Sequence, residues 1–219
     1  MAEIDTPDSN KSAIPEAQEH FDIGMDFQKI NEPGKAIKEF SKAIQLDPQF
    51  TAAYIRRGDT ISALALARKS HWESPPIALL QCGIQFYLDF IPLASNFLRT
   101  GLWPRISGAI DDYTAAIRLE PNNAKAYISR ANCYMRTDDS ERAILDFSEA
   151  IRLEPNNLHA YNGRHLALMS KVRSLTDAGT PESDCKELLD KANTDYRKAF
   201  WLKEGFIERQ PTQEQQRSQ

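Results

Sequence analysis

The chain has 219 residues, of which 27 are Lys or Arg and 31 Asp or Glu, for a formal charge of −4. Its pI of 5.6 excludes the strongly basic footprint of a nucleic-acid binder, so no nucleic-acid partner is expected. With 41% hydrophobic and 26% charged residues it is neither fibrous nor wholly disordered, and it is long enough to bury a core without disulfides or metal.

Cys82, Cys133 and Cys185 lie far apart and form no CxxC. An odd set of isolated cysteines is neither a disulfide framework nor a zinc module. It reads as free thiols in a reducing compartment, which points to the cytoplasm. The opening MAEIDTPDSNKSAIPEAQ has early acids and no apolar core, so it does not read as a secretory signal. Residues 1–16 are expected to be disordered.

Self-similarity begins after that segment. The string AIQLDPQF at 43–50 returns as AIRLEPNN at 116–123 and again at 150–157. An alanine and a tyrosine follow each copy, ending at Tyr54, Tyr127 and Tyr161. Pro121 and Pro155 are 34 residues apart, as are Tyr127 and Tyr161. Pro48 and Pro121 are 73 apart, which is one period of 34 with 39 residues inserted. The first repeat is then 17–50, and the second is 51–123 with an insertion at 65–103. The third is 124–157. The fourth is 158–206, with 15 further residues near 172–186. Residues 207–219 form a Gln-rich tail expected to be disordered.

The two insertions follow local rules. The first helix of the second repeat can run on through ISALALARKS, and Ser74-Pro75-Pro76 then breaks it. Ile77, Leu80, Ile84, Tyr87, Leu88 and Ile91 share helical spacing and outline an amphipathic helix of about four turns. That stretch fits a satellite helix packed on the array, a docking patch for a partner or membrane surface, or a translated intron. Pro104 suits the first turn of the returning helix. In the second insertion Gly179 ends one element, Thr180 can cap the next and Pro181 suits its first turn. A long helix is expected from there through Trp201.

A period of 34 with helical patterning resembles the tetratricopeptide repeat family. Counting from Ala17, the places the family marks hold His20, Ile23, Gly24, Phe27, Ala36, Phe40, Ala43 and Pro48. Counting from Ala124, they hold Tyr127, Arg130, Ala131, Tyr134, Ala143, Phe147, Ala150 and Pro155. The second repeat offers Tyr54, Arg57, Gly58 and Ile61, then Ala109, Tyr113, Ala116 and Pro121 beyond its insertion. The fourth offers Tyr161, Arg164, His165, Leu168, Ala192, Tyr196 and Ala199, with Glu204 where proline is the rule. The resemblance implies an all-α fold: a right-handed superhelical array of about four helix-turn-helix repeats, with a helical insertion in the second. It also implies a non-catalytic interaction scaffold or adaptor.

Catalytic patterns are absent from the sequence. It has no GxGxxG, P-loop, HExxH, calcium loop or GxSxG, and no metal or cofactor is expected. The acid pairs Asp111-Asp112 and Asp138-Asp139 read as helix-start or turn carboxylates favoured by the helix dipole. Arg57, Arg130 and Arg164 recur in register, which suggests a structural role beside the aromatic three residues earlier.

In the family, the first helix of each repeat lines a concave groove that takes a peptide or partner helix. The groove places implied here are Phe21, Met25, Ile55, Arg56, Asp59, Lys125, Ile128, Asn132, Arg136 and Asn162. One subset of the family clamps the C-terminal carboxylate of chaperones with five set residues. Those five places hold Phe21, Met25, Arg56, Lys125 and Ser129 here, and Lys125 alone matches, so the resemblance does not carry that clamp. The partner expected is a protein or peptide bound in the groove. The alternative is attachment to a membrane or larger assembly through the 65–103 insertion. The sequence leaves the oligomeric state open.

Overall fold

The computed structural model describes residues 12, 14–72 and 103–204. Eight α-helices occur among them: α1 (Pro15–Lys29), α2 (Pro33–Leu46), α3 (Thr51–Trp72), α4 (Trp103–Leu119), α5 (Ala124–Arg136), α6 (Ser140–Leu153), α7 (Leu158–Asp177) and α8 (Lys186–Lys203). A short 3-10 turn, Glu182–Cys185, precedes α8. No strand occurs among the described residues, and the fold is all-α. The Gln-rich tail, most of the N-terminal segment and the insertion face Ile77, Leu80, Ile84, Tyr87, Leu88 and Ile91 lie outside the described residues.

Local chemistry sets the helix ends. Pro15 and Pro33 stand at the starts of α1 and α2, where a missing N–H costs nothing. Asp139 accepts the Arg142 N–H at 3.1 Å and caps α6, and Asn157 accepts the Ala160 N–H at 3.1 Å and caps α7. Pro48, Pro121 and Pro155 sit just past the ends of α2, α4 and α6. The turns inside the first and third hairpins pass through the left-handed region at Asn31 (φ 58°) and Asp138 (φ 61°). Asn and Asp tolerate that conformation better than most side chains. Gly179 (φ 91°) ends α7 in the same region. The helix expected from Thr180 instead starts at Lys186, because residues 182–185 first form the tighter 3-10 turn.

The chain divides into two compact units, residues 1–133 and 134–219. In the first, α1 and α2 form one hairpin, and α3 and α4 another in spite of the residues between them. Phe40 is the centre of the first hairpin: it packs on Phe21 (5.7 Å between ring centroids) and lies against Gly24. A Cβ at Gly24 would come within 2.6 Å of the Phe40 ring. Phe50 closes this core from the far side of Phe21, at 4.8 Å. Around α4, Tyr113 packs with Ala65, Ile106, Ala109 and Cys133, and Ile55 packs with Ala116 and Ala126.

In the second unit α7 packs on both α6 and α8. Gly163 allows the Phe147 ring onto α7, where a Cβ would meet it at 2.3 Å. His165 stands where the first two repeats have glycine, and its Nδ1 lies 2.9 Å from the Ala192 carbonyl oxygen.

One polar arrangement recurs through these helices. Arg57 makes a two-pronged bond to Asp112 (2.6 and 3.0 Å) and donates to Ser41 Oγ at 3.0 Å. Arg164 does the same with Asp195 (2.7 Å twice) and Ser148 Oγ (3.1 Å). Arg130 donates to Thr114 Oγ1 at 3.1 Å. The hydroxyls of Ser41, Thr114 and Ser148 each donate onward to the carbonyl four residues earlier in their own helix. The three guanidiniums lie 5.9, 5.8 and 5.9 Å from the rings of Tyr54, Tyr127 and Tyr161. These arginines therefore join helices of successive repeats and are not a basic binding stripe. The first repeat differs: Glu39 stands at the place of Asp112, but its partner is His20, at the place of the tyrosines, with Nδ1 2.7 Å away.

Candidate peptide-binding face

Four residues of α3 divide their work. Arg57 turns into the joint just described, while Arg56, Asp59 and Thr60 serve another side. Thr60 Oγ1 donates to the Arg56 carbonyl at 2.7 Å and accepts from Gln28 Nε2 of α1 at 2.6 Å. Asp59 accepts the Tyr113 hydroxyl of α4 at 2.8 Å, and Lys125 Nζ of α5 stands 3.9 Å from its other oxygen. Asp59 thus links α3, α4 and α5 through two oxygens.

Burial pushes the Tyr113 phenol well above its usual range, and the Asp59 carboxylate adds to the effect. The hydroxyl stays protonated and keeps donating to Asp59. Arg56 is half-buried and has no ion pair or side-chain hydrogen bond among the described residues. Among the described residues no group of three His, Cys, Asp or Glu side chains could hold a metal ion.

The expected groove residues fall into three sets. Phe21 and Ile55 are buried in packed cores. Met25, Arg56, Asp59 and Ile128 are half-buried on the helices of the first unit, and Lys125 and Asn132 are exposed there. Arg136 and Asn162 are exposed on the second unit. The sequence reading did not single out Tyr113 as a functional contributor. Its place marks it as a packing aromatic, and nothing in the spacing tells that its hydroxyl reaches Asp59.

The acid pair at 111–112 behaves differently from the expectation. Asp112 is neither in the first turn of α4 nor in a loop. It sits deep in the helix, buried, and faces Arg57. Burial raises its carboxyl, with the guanidinium pulling the other way, and the same hydrogen bonds raise Arg57. The two-pronged geometry is that of a charged pair, which keeps both groups ionised at neutral pH.

No helix among the described residues is long and apolar enough to cross a membrane. Residues 124–157 match the family model described as tetratricopeptide repeat. A stretch of 40 residues is 50% identical to the DnaJ homolog subfamily C member 7 homolog of Dictyostelium discoideum, covering 18% of this chain and 7% of that protein. The match therefore spans only a small part of that relative. Among solved structures the fold is similar to MamA, at 21% identity and a TM-score of 0.57, over 88% of this chain and 82% of that one. It is also similar to the first tetratricopeptide domain of Spaghetti (RPAP3) bound to the HSP90 peptide SRMEEVD, at 18% identity and a TM-score of 0.50, over 71% and 92%. The first such domain of human RPAP3 matches at 18% identity and a TM-score of 0.52, over 72% and 94%. At these identities the likeness shows the fold alone, and residues 124–157 are the part of this chain that matches the tetratricopeptide repeat model.

Proposed function

We propose that the chain is a non-catalytic adaptor of the cytoplasm that captures a peptide or helix of a partner protein on the first helices of its repeats, with α1, α3 and the start of α5 supplying the face in the first unit. The tetratricopeptide repeat fold is a protein-interaction scaffold, and one structural neighbour was solved with a bound peptide. The observation that carries the reading is the division of polar work on α3. Arg57 is consumed by packing, while Arg56 beside it has no ion pair or side-chain hydrogen bond among the described residues and lies on the helix that carries Asp59 near exposed Lys125. Half-buried Met25 and Ile128 supply apolar contact, and exposed Asn132 supplies an amide for a ligand's backbone. The cations favour an acidic side chain or carboxylate in that ligand. Buried free thiols at Cys133 and Cys185 agree with a reducing compartment.

The test is affinity capture with the full chain against a variant carrying Arg56→Glu, Lys125→Glu and Arg136→Glu, with circular dichroism on both. The expected result is loss of the captured partners at unchanged helical content. Retention of every partner overturns the reading.

A further inference from the structure

The last hairpin presents the face that every earlier hairpin hides. At the twenty-fourth place of the four repeats stand Phe40, Tyr113, Phe147 and Tyr196. The first three are 0%, 2% and 1% exposed, whereas Tyr196 is 55% exposed. Phe200 and Trp201 beside it on α8 are 50% and 43% exposed. The His165 ring of the same hairpin lies 5.4 Å from that of Tyr196, and the three aromatic side chains stay about half exposed among the described residues. Arg197 stands on it, at the place that holds Ser41, Thr114 and Ser148 in the earlier repeats. Those hydroxyls each accept from an arginine on the first helix of the next repeat, so this place faces whatever covers the hairpin.

The outer stripe of α1 is the counterpart. Arg57 and Arg164 stand at the seventh place of their repeats, turned toward the preceding hairpin. In the first repeat that place is Ile23, 36% exposed. Glu19, Asp26 and Ile30 lie on the same stripe at helical spacing, and Ile30 is 65% exposed. The stripe therefore alternates exposed isoleucines with acids. It matches an aromatic face that carries an arginine.

We propose that α8 of one copy docks on α1 of a second copy, with Tyr196, Phe200 and Trp201 against Ile23 and Ile30 and with Arg197 between Glu19 and Asp26. The contact repeats the register by which each hairpin covers the one before it, and it is independent of peptide capture. Its two surfaces differ, so the growing assembly always keeps one free α1 and one free α8. Association then continues beyond two copies unless a ring closes.

Sedimentation velocity of the full chain over a concentration series tests this. The expected result is association that passes the dimer and weakens with salt. Arg197→Glu is expected to weaken it by about tenfold or more, as loss and inversion of one interfacial charge pair implies. Glu19→Arg with Asp26→Arg is expected to weaken it similarly. The triple combination is expected to restore association, a rescue that misfolding cannot produce. A chain that stays monomeric throughout overturns the proposal. So does association that stops at the dimer, or that ignores the α1 substitutions, since either outcome assigns α8 a different occupant.

Discussion

Arg57 and Asp112 are 55 residues apart in sequence and share two hydrogen bonds of 2.6 and 3.0 Å. The pair crosses the site of the 39-residue insertion and reaches Ser41 as well, so one guanidinium ties α2, α3 and α4. Asp112 is buried, and removing its partner leaves a carboxylate with neither water nor a cation. Arg57→Ala is expected to destabilise the chain by about 3 kcal/mol in urea unfolding. Arg57→Lys keeps the charge without the fork and is expected to recover only part of that loss. A neutral outcome for Arg57→Ala shows that the pair contributes little net stability.

The contact between Gly163 and Phe147 predicts a size rule in the second unit. An added Cβ lands 2.3 and 2.4 Å from ring atoms of a buried phenylalanine, which cannot retreat as a surface side chain would. Gly163→Ala gains up to about 1 kcal/mol of helix propensity and loses more to overpacking. A net cost of about 1–3 kcal/mol is expected. Combining it with Phe147→Leu relieves the clash, so the double variant is expected to be more stable than the sum of the two single changes. Strict additivity in thermal unfolding contradicts the contact.

Glu39 gives an acid-side prediction. Hydrogen bonding from Lys42 (2.9 Å), and then from His20, holds its carboxyl below the ordinary carboxylate value of 4.5. A depressed acid stabilises the fold fully above its unfolded-state value, and the benefit is lost as pH falls through the folded-state value. Glu39→Gln is expected to cost about 0.5 kcal/mol at neutral pH. It is also expected to flatten the fall in stability between about pH 5 and 3. An unchanged slope over that window rules out Glu39 as a contributor.

Much of this architecture is legible in the chain because the repeat writes it several times over. The prolines, the alanines of the second helices and the packing aromatics fall 34 residues apart wherever no insertion intervenes, and they meet as the family resemblance implies. The polar joints were harder to read. Asp111 and Asp112 are adjacent, and no local rule says that the first faces water and the second is buried. The usable signal was an acid directly before the packing aromatic: Glu39-Phe40, Asp112-Tyr113, Asp146-Phe147 and Asp195-Tyr196. The close approach at Gly163 also escaped, because the register expects the small residue at His165. The candidate face is a set of positions that the resemblance implies. Which cation is consumed inside the fold depends on partners brought together only by packing: Arg57 meets an acid distant in sequence, and Arg56 beside it meets none among the described residues.

Tyr113 supplies the alkaline counterpart. Its phenol is held far above the ordinary value of 10 by burial and by the Asp59 carboxylate. A group whose folded-state value is raised stabilises the fold fully below its unfolded-state value, and that stability drains away as pH rises beyond it. Stability is therefore expected to fall above about pH 10, with a smaller fall in Tyr113→Phe, which keeps the ring but has no hydroxyl to ionise. The same variant is expected to cost about 1 kcal/mol at neutral pH through the lost bond to Asp59. Ultraviolet titration separates this from a general alkaline effect. With the native fold intact, Tyr113→Phe and the unaltered chain are expected to ionise the same number of tyrosines near pH 10, because Tyr113 does not titrate there. If the unaltered chain ionises one more, the phenol is not shielded and the Asp59 bond does not hold it.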